Sequence, residues 1–190
     1  MLDSIHTSAG AHLQLGEGVL LRGVDADGVM NANDPAAALA QAMQDESRLL
    51  GATRDGCVFR CTPDMLDTTR GCRTPMPGET LVRRWTVTLS GTLLEISPGN
   101  AAMLLNLPQS APMAPPCPPV FAASADNLCW FGMTGSGLMA IELHCPVSTG
   151  GMALRTARSG FGEMPFTLLA HRTNTAGLPC RLLWPKEATT

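Results

Sequence analysis

The run Leu81-Val-Arg-Arg-Trp85-Thr-Val-Thr-Leu-Ser90-Gly-Thr-Leu-Leu-Glu-Ile96 decides the fold class. Leu81, Trp85, Val87 and Leu89 point one way, and Val82, Arg84, Thr86, Thr88 and Ser90 point the other. That period of two belongs to a strand with one buried face. Around Gly91 the phase shifts so that Leu94 and Ile96 become the buried set, which predicts a bulge. Upstream, Cys57–Cys61 reads as a short strand stopped by Thr62-Pro63-Asp64. Residues 65–79, with Arg70, Arg73 and two prolines, read as a loop or extended hairpin projecting from the body.

Further upstream, one helix is expected over 34–51. Asp34 suits the N-cap, Pro35 the first turn and Gly51 the C-terminal stop. Ala36, Leu39, Met43 and Leu50 share one side of it, opposite Gln41, Gln44, Asp45 and Arg48, so it is amphipathic. Before it, 25–33 reads as a turn-rich loop, 13–24 as a strand with a bulge, and 1–12 as a featureless arm. Downstream, Ser97-Pro98 starts a short helix through Leu105. The six prolines of 106–126 forbid a regular element there. Leu128–Met133 and Leu138–Cys145 flank a glycine turn as a hairpin. Met152–Arg158, Met164–Arg172 and Leu182–Trp184 read as further strands. The whole of 1–190 is thus expected as a single, mainly β domain: a β-sandwich or open barrel of about seven strands with one packed amphipathic helix.

Composition narrows the function. The chain has 190 residues, 45% hydrophobic and only 15% charged, with a net charge of −3. A sparse, slightly acidic surface excludes the ordinary phosphate-neutralising nucleic-acid binder. Twelve arginines stand against the single Lys186, a bias that suits protein–protein contacts. Residues 1–50 carry seven acids against Arg22 and Arg48, whereas each later part is mildly basic. Copies could attract one another through that asymmetry, although an ordinary mixed surface has the same count. The N-terminus lacks the basic and apolar regions of a signal peptide, and seven cysteines is an odd number. The expectation is therefore folding in a reducing cytoplasm without a disulfide framework. No run reaches the ~20 apolar residues of a membrane span.

Catalytic motifs are weak. Cys57 and Cys61 lie about 13 Å apart on a strand at ~3.3 Å per residue, too far to share a zinc ion with Cys72. His6, His12, His144 and His171 are scattered. Ser136 sits between glycines but lacks the spacing of a nucleophile elbow. Gly16, Gly18 and Gly23 miss the dinucleotide spacing. The close acid pairs, Asp25/Asp27 and Asp45/Glu46, fit a turn and an exposed helix face. No enzyme, cofactor or metal is expected.

Leu50-Gly-Ala-Thr-Arg-Asp-Gly-Cys-Val-Phe59, then Thr62-Pro63, then Trp85-Thr-Val-Thr-Leu-Ser-Gly-Thr-Leu-Leu-Glu-Ile96 resembles the major tail tube proteins of long-tailed bacteriophages. Asn127-Leu-Cys-Trp-Phe-Gly132 and Phe166-Thr-Leu-Leu-Ala-His171 continue the likeness, which covers roughly residues 14–184. It departs at Asp55, where the family commonly has glycine, and in the proline-rich 106–126.

The resemblance implies a structural virion protein. Its β-sandwich subunits would form hexameric rings stacked into a hollow tube, assembled in the host cytoplasm, through which double-stranded DNA passes in transit. It implies the tape measure, tail terminator and distal tail proteins as partners, with no membrane insertion. On that reading Arg84, Thr86, Thr88, Ser90, Glu142 and His144 line the lumen or an inter-subunit sheet, unless those faces simply meet solvent. Asp67, Arg70, Arg73 and Glu79 belong to a ring-stacking loop reaching acids in a neighbour's first fifty residues. Arg70→Ala/Arg73→Ala is then expected to weaken tube polymerisation and reduce its salt dependence, measured by light scattering across a salt series. A free-standing module recognising a glycan or receptor is the alternative. A small hydrolase using Asp25/Asp27 or Ser136 is the third reading.

Overall fold

The structure, a computed structural model, describes residues 18–67, 80–107, 126–134, 137–155, 162–171 and 177–185. The alternating run forms strand β3 (Thr80–Leu93), paired along its length with the still longer β2 (Leu49–Asp67). Val87, Leu89 and Leu93 are buried, and Thr88 and Ser90 lie half-buried on the other face. The expected change of phase at Gly91 does not occur. Leu93 keeps the inner face, and Ile96 is exposed. The bulge sits opposite, in β2: Arg54 pairs with Thr92 and Cys57 with Gly91, which leaves Asp55 and Gly56 as extra residues. Gly56 has a φ of 75°, open to glycine at little cost. A Cβ on Gly91 would meet the Gly56 carbonyl oxygen at 3.2 Å, so both glycines serve the bulge.

Six further strands complete a curled antiparallel sheet: β1 (Gly18–Arg22), β4 (Leu128–Thr134), β5 (Gly137–Leu143), β6 (Val147–Ser148), β7 (Met164–Leu169) and β8 (Cys180–Leu183). Their order is β6-β7-β3-β2-β1-β4-β5-β8. Strand β2 turns the corner, pairing with β1 over Leu49–Ala52 and with β3 from Thr53 onward. The two halves curl towards each other as a mainly β half-barrel, or sandwich, the expected fold class. Leu20, Trp130, Ile141 and Leu143 from one half meet Leu89, Leu93, Phe166 and Leu168 from the other. Ala101, Met103 and Leu104 of helix α3 (Pro98–Leu104) join them. A second cluster lies on the opposite face of the β1–β4–β5 half, where Leu21, Phe131 and Ala140 pack against helix α1 (Ala26–Met30). Strands β4 and β5 are therefore buried on both faces, whereas β7 alternates.

The helix expected over 34–51 starts as foreseen, with Asp34 Oδ1 accepting from the Ala36 and Ala37 amides at 3.1 Å. It ends early, as α2 (Pro35–Met43). Asp45 then accepts from the Ser47 amide and hydroxyl and makes a turn, and Leu50 reaches the core from β2 instead. The segment read as a turn-rich loop contains α1, capped by Asp25. Nor does β2 stop at Thr62-Pro63. There, among the described residues, it has a strand neighbour on one side only, a position that tolerates proline. Of the strand expected over 152–158, the described residues show one bridge, Arg155 to Glu163. Residues 1–17, 68–79 and 108–125 lie outside the described residues. With them go the arm over 1–12, nearly all of the proline-rich loop and most of the projecting loop.

Candidate functional site

Beyond the sandwich, β2 and β3 continue as a two-stranded arm. Strand β7 pairs with β3 only over Thr88–Leu93, and β1 leaves β2 after Ala52. From Pro63↔Trp85 to Asp67↔Thr80, neither strand of the arm has a second strand neighbour among the described residues. A second bulge lies here. Asp64 pairs with Arg84 and Met65 with Val82, so Arg83 is the additional residue. Both guanidinium groups consequently reach one carboxylate, Arg83 Nη2 at 2.9 Å and Arg84 Nε at 3.0 Å from Asp64 Oδ2. These pairs are solvent-exposed and modest in energy.

Past that bulge Met65 lies opposite Val82 and Leu66 opposite Leu81, so both faces of the arm carry large apolar side chains. Met65, Leu66, Leu81, Val82 and Trp85 are 45–59% exposed. Leu81 and Trp85 were expected on the buried face beside Val87 and Leu89. Trp85 is exposed because the strand runs beyond the layer that would cover it, and the bulge at Arg83 turns Leu81, paired with Leu66, to the opposite face, that of Asp64 and Arg84.

Arg84, Thr86, Thr88 and Ser90 do share one face. Their direct partners Asp64, Thr62, Arg60 and Val58 extend it, and Leu169 and Thr167 of β7 continue it. Glu142 and His144 are elsewhere, which corrects their expected place on an exposed strand face. Glu142 lies on the helix side of β5 and His144 directly follows that strand, 4% and 8% exposed. There Glu142 Oε1 accepts from Asn127 at 2.6 Å and its Oε2 from Arg181 Nε at 2.8 Å. Arg181 also pairs with Asp27 of α1. His144 donates from Nδ1 to the Leu178 carbonyl at 2.8 Å, with Nε2 3.6 Å from Glu142. The cluster ties β8, β5 and α1 together, and its acids are already engaged within the chain. Asp67 ends β2; Arg70, Arg73 and Glu79 lie outside the described residues.

The sequence carried an unused signal for this cluster. Glu142 sits in Leu138-Met-Ala-Ile-Glu-Leu143, apolar on both faces, so an acid there had to be buried and partnered. Asp25, one of the acids considered for hydrolysis, caps α1, and Asp27 is held by Arg181. Ser136 lies outside the described residues. Among the described residues no three His, Cys, Asp or Glu side chains are placed to hold a metal ion. Nor is any helix of them long and apolar enough to cross a membrane.

The thiols differ sharply. Burial, reinforced by the Glu142 charge, pushes Cys129 up to about 12, and burial also raises Cys57 and Cys180. Cys61 is exposed. Of these four, Cys61 is expected to react first with iodoacetamide and Cys129 only on unfolding, as read by peptide mass spectrometry. Above the ordinary thiol value of 9.0 the unfolded chain releases the Cys129 proton that the fold retains, so this thiol's contribution to stability falls as pH rises towards about 12.

Neither a scan against protein-family models nor a search of curated proteins finds a match for the chain.

Proposed function

We propose that the chain is a self-assembling structural subunit of the tail-tube type, whose copies close into hexameric rings and stack into a hollow conduit for DNA. The arm carries the argument. A two-stranded ribbon with open edges and five large apolar side chains half in water is a poor end state for a lone chain. A closed ring of identical subunits covers such surfaces and leaves no edge to recruit further strands. The face holding Arg60, Thr62, Arg84, Thr86 and Thr88 suits either an inter-subunit contact or a polar lining. On this reading the tape measure, terminator and distal tail proteins are the partners at the tube's ends, and the virion tail is its location.

The test is assembly. At rising concentration the purified chain is expected to form hollow rods or six-membered rings under negative-stain microscopy. Leu81→Ser/Trp85→Ser, in exposed positions, is expected to raise the critical concentration at least tenfold while preserving the β circular-dichroism signature. A chain that stays monomeric at all concentrations overturns the proposal.

One observation favours the alternative of a glycan- or receptor-binding module. A cleft of about 230 Å³ lies between the arm and Gly177–Pro179, with the half-exposed Trp85 in its wall. An aromatic face beside a cleft is a platform on which sugars stack. Saturable quenching of tryptophan fluorescence by an oligosaccharide, lost in Trp85→Ser, without rods at any concentration, would select that reading.

A further inference from the structure

Strand β8 is an edge of the sheet, paired only with β5 among the described residues. Cys180 begins it. Opposite Leu143, Cys180 takes the core face and packs on the cluster that holds Val87 and Leu143. Cys57 and Phe59 of β2 pack on that same cluster. The period of two puts Cys61 on their side of β2, directly across from Val87 at the root of the arm. One thiol of the edge strand and one of the long hairpin thus belong to the same end of the sandwich.

Three observations make them neighbours. Backbone hydrogen bonds close the sandwich here: the His144 amide donates to the Pro179 carbonyl, the His171 amide to the His144 carbonyl and the Ala170 amide to the Val87 carbonyl, each at 2.9 Å. That chain of bonds leads from the residue before Cys180 to the pairing partner of Cys61. Gly177–Pro179 also face Val82–Trp85 across the cleft of about 230 Å³, and Trp85 pairs with Pro63, two residues beyond Cys61. Finally, burial raises the Cys180 thiol, and the charge of the Cys61 thiolate raises it further, an influence that fades with distance.

We propose that Cys61 and Cys180 are a redox clasp, closed by a small-molecule disulfide, that fastens the edge strand to the root of the arm. Cys61 is exposed and Cys180 half-buried, so Cys61 meets the oxidant. Its thiolate attacks one sulfur of the small disulfide, and one small thiolate leaves. The Cys180 thiolate then attacks the Cys61 sulfur of the mixed disulfide and expels the second. The chain loses two electrons and two protons, and the oxidant gains both as two free thiols. Cys57 does not replace Cys61. It lies about 13 Å away along the strand at ~3.3 Å per residue, beyond the roughly 7 Å that a disulfide spans between Cα atoms. Cys129 faces the helix layer instead. A single chain suffices, so this inference stands apart from the tube reading.

Oxidised glutathione is the probe, applied to the full-length chain and followed by alkylation and digestion without reduction. Mass spectrometry is expected to find peptides joined through Cys61 and Cys180, with two glutathione thiols released per chain at a rate independent of protein concentration. The linked form is expected to melt roughly 5–15 °C above the reduced form, because the bond closes a long loop of the unfolded chain. Dithiothreitol should reverse that rise. Cys61→Ser, at an exposed position, should keep the Tm of the reduced wild-type chain and lose the rise. A chain whose Cys61 stays reduced, or stops at the glutathione adduct, overturns the proposal. So does a bond from Cys61 to any other cysteine, or one that forms faster as concentration rises and therefore joins two chains. A Cys61–Cys180 bond that leaves Tm unchanged overturns the clasp as well.

Discussion

Arg181→Ala is expected to lower the free energy of unfolding by about 2–4 kcal/mol. Glu142 is 4% exposed, and its two carboxylate oxygens accept from Asn127 and Arg181. Removing one partner of a fully buried pair costs about 3–5 kcal/mol, because the other charge stays behind without compensation. The Arg181 side chain is 35% exposed, so water can follow into the vacated space and the expected loss falls short of the upper limit. Glu142→Gln should cost less, about 1–2 kcal/mol, since Gln can still accept from Asn127 and Arg181 keeps Asp27 and solvent. The double variant should fall short of the sum of the two, the signature of one shared network. Urea unfolding followed by tryptophan fluorescence gives all three numbers. Equal, additive losses would mean that the cluster is solvated rather than structural. A local readout accompanies the global one. Arg181 fastens the edge strand β8 to β5 and α1, so Arg181→Ala should speed amide exchange at Leu182 and Leu183 before the rest of the sheet responds.

What was legible in the sequence was what depends on neighbours in the chain. The strand over 81–90, the Asp34-Pro35 and Ser97-Pro98 helix starts and the pairing of β4 with β5 rest on local signals, and each sits where the structure has that element. The misreadings share a different cause. Leu50 fits the apolar side of a helix by spacing, yet a strand bonded to β1 gives it a deeper place in the core. The bulge was assigned to Gly91, whereas the extra residues are Asp55 and Gly56 across the ladder. Periodicity in one strand detects an irregular pair without saying which member holds it. Trp85 alternates correctly with Val87 and is nevertheless exposed, because alternation reports which face a residue takes and not whether a second layer reaches that far. Strand parity placed Glu142 on the right strand and in the wrong environment, and His144 lies just past the end of that strand. Their burial depends on Arg181 and on the segment around Leu178, well away in sequence.

The second large effect concerns the other end of that sheet. Trp130 lies on the core face of β4, and its ring covers two glycines: Gly132 on the same strand and Gly18 on β1, which pair with each other. A Cβ at either glycine would fall inside van der Waals contact with the indole. The ring is 2% exposed and enclosed by the core, so it has no open space into which to swing. Gly132→Ala is therefore expected to cost about 3 kcal/mol, at the upper end for overpacking, despite adding a single methyl group to a strand. Trp130→Ala should cost about 3–5 kcal/mol through the cavity it leaves. Combining them is the decisive measurement. Once the indole is gone the new methyl group meets empty space, so the double variant should be no less stable than Trp130→Ala alone. A fully additive pair would show that the strain resides in the backbone and not against the ring. Trp130→Phe adds a chemical control. Among the described residues the buried Nε1–H has no hydrogen-bond partner, so phenylalanine removes an orphaned donor while losing part of the packing. It should retain most of the stability that alanine loses and should tolerate Gly132→Ala better than the wild-type chain does, because the atoms nearest the new Cβ belong to the six-membered half of the indole.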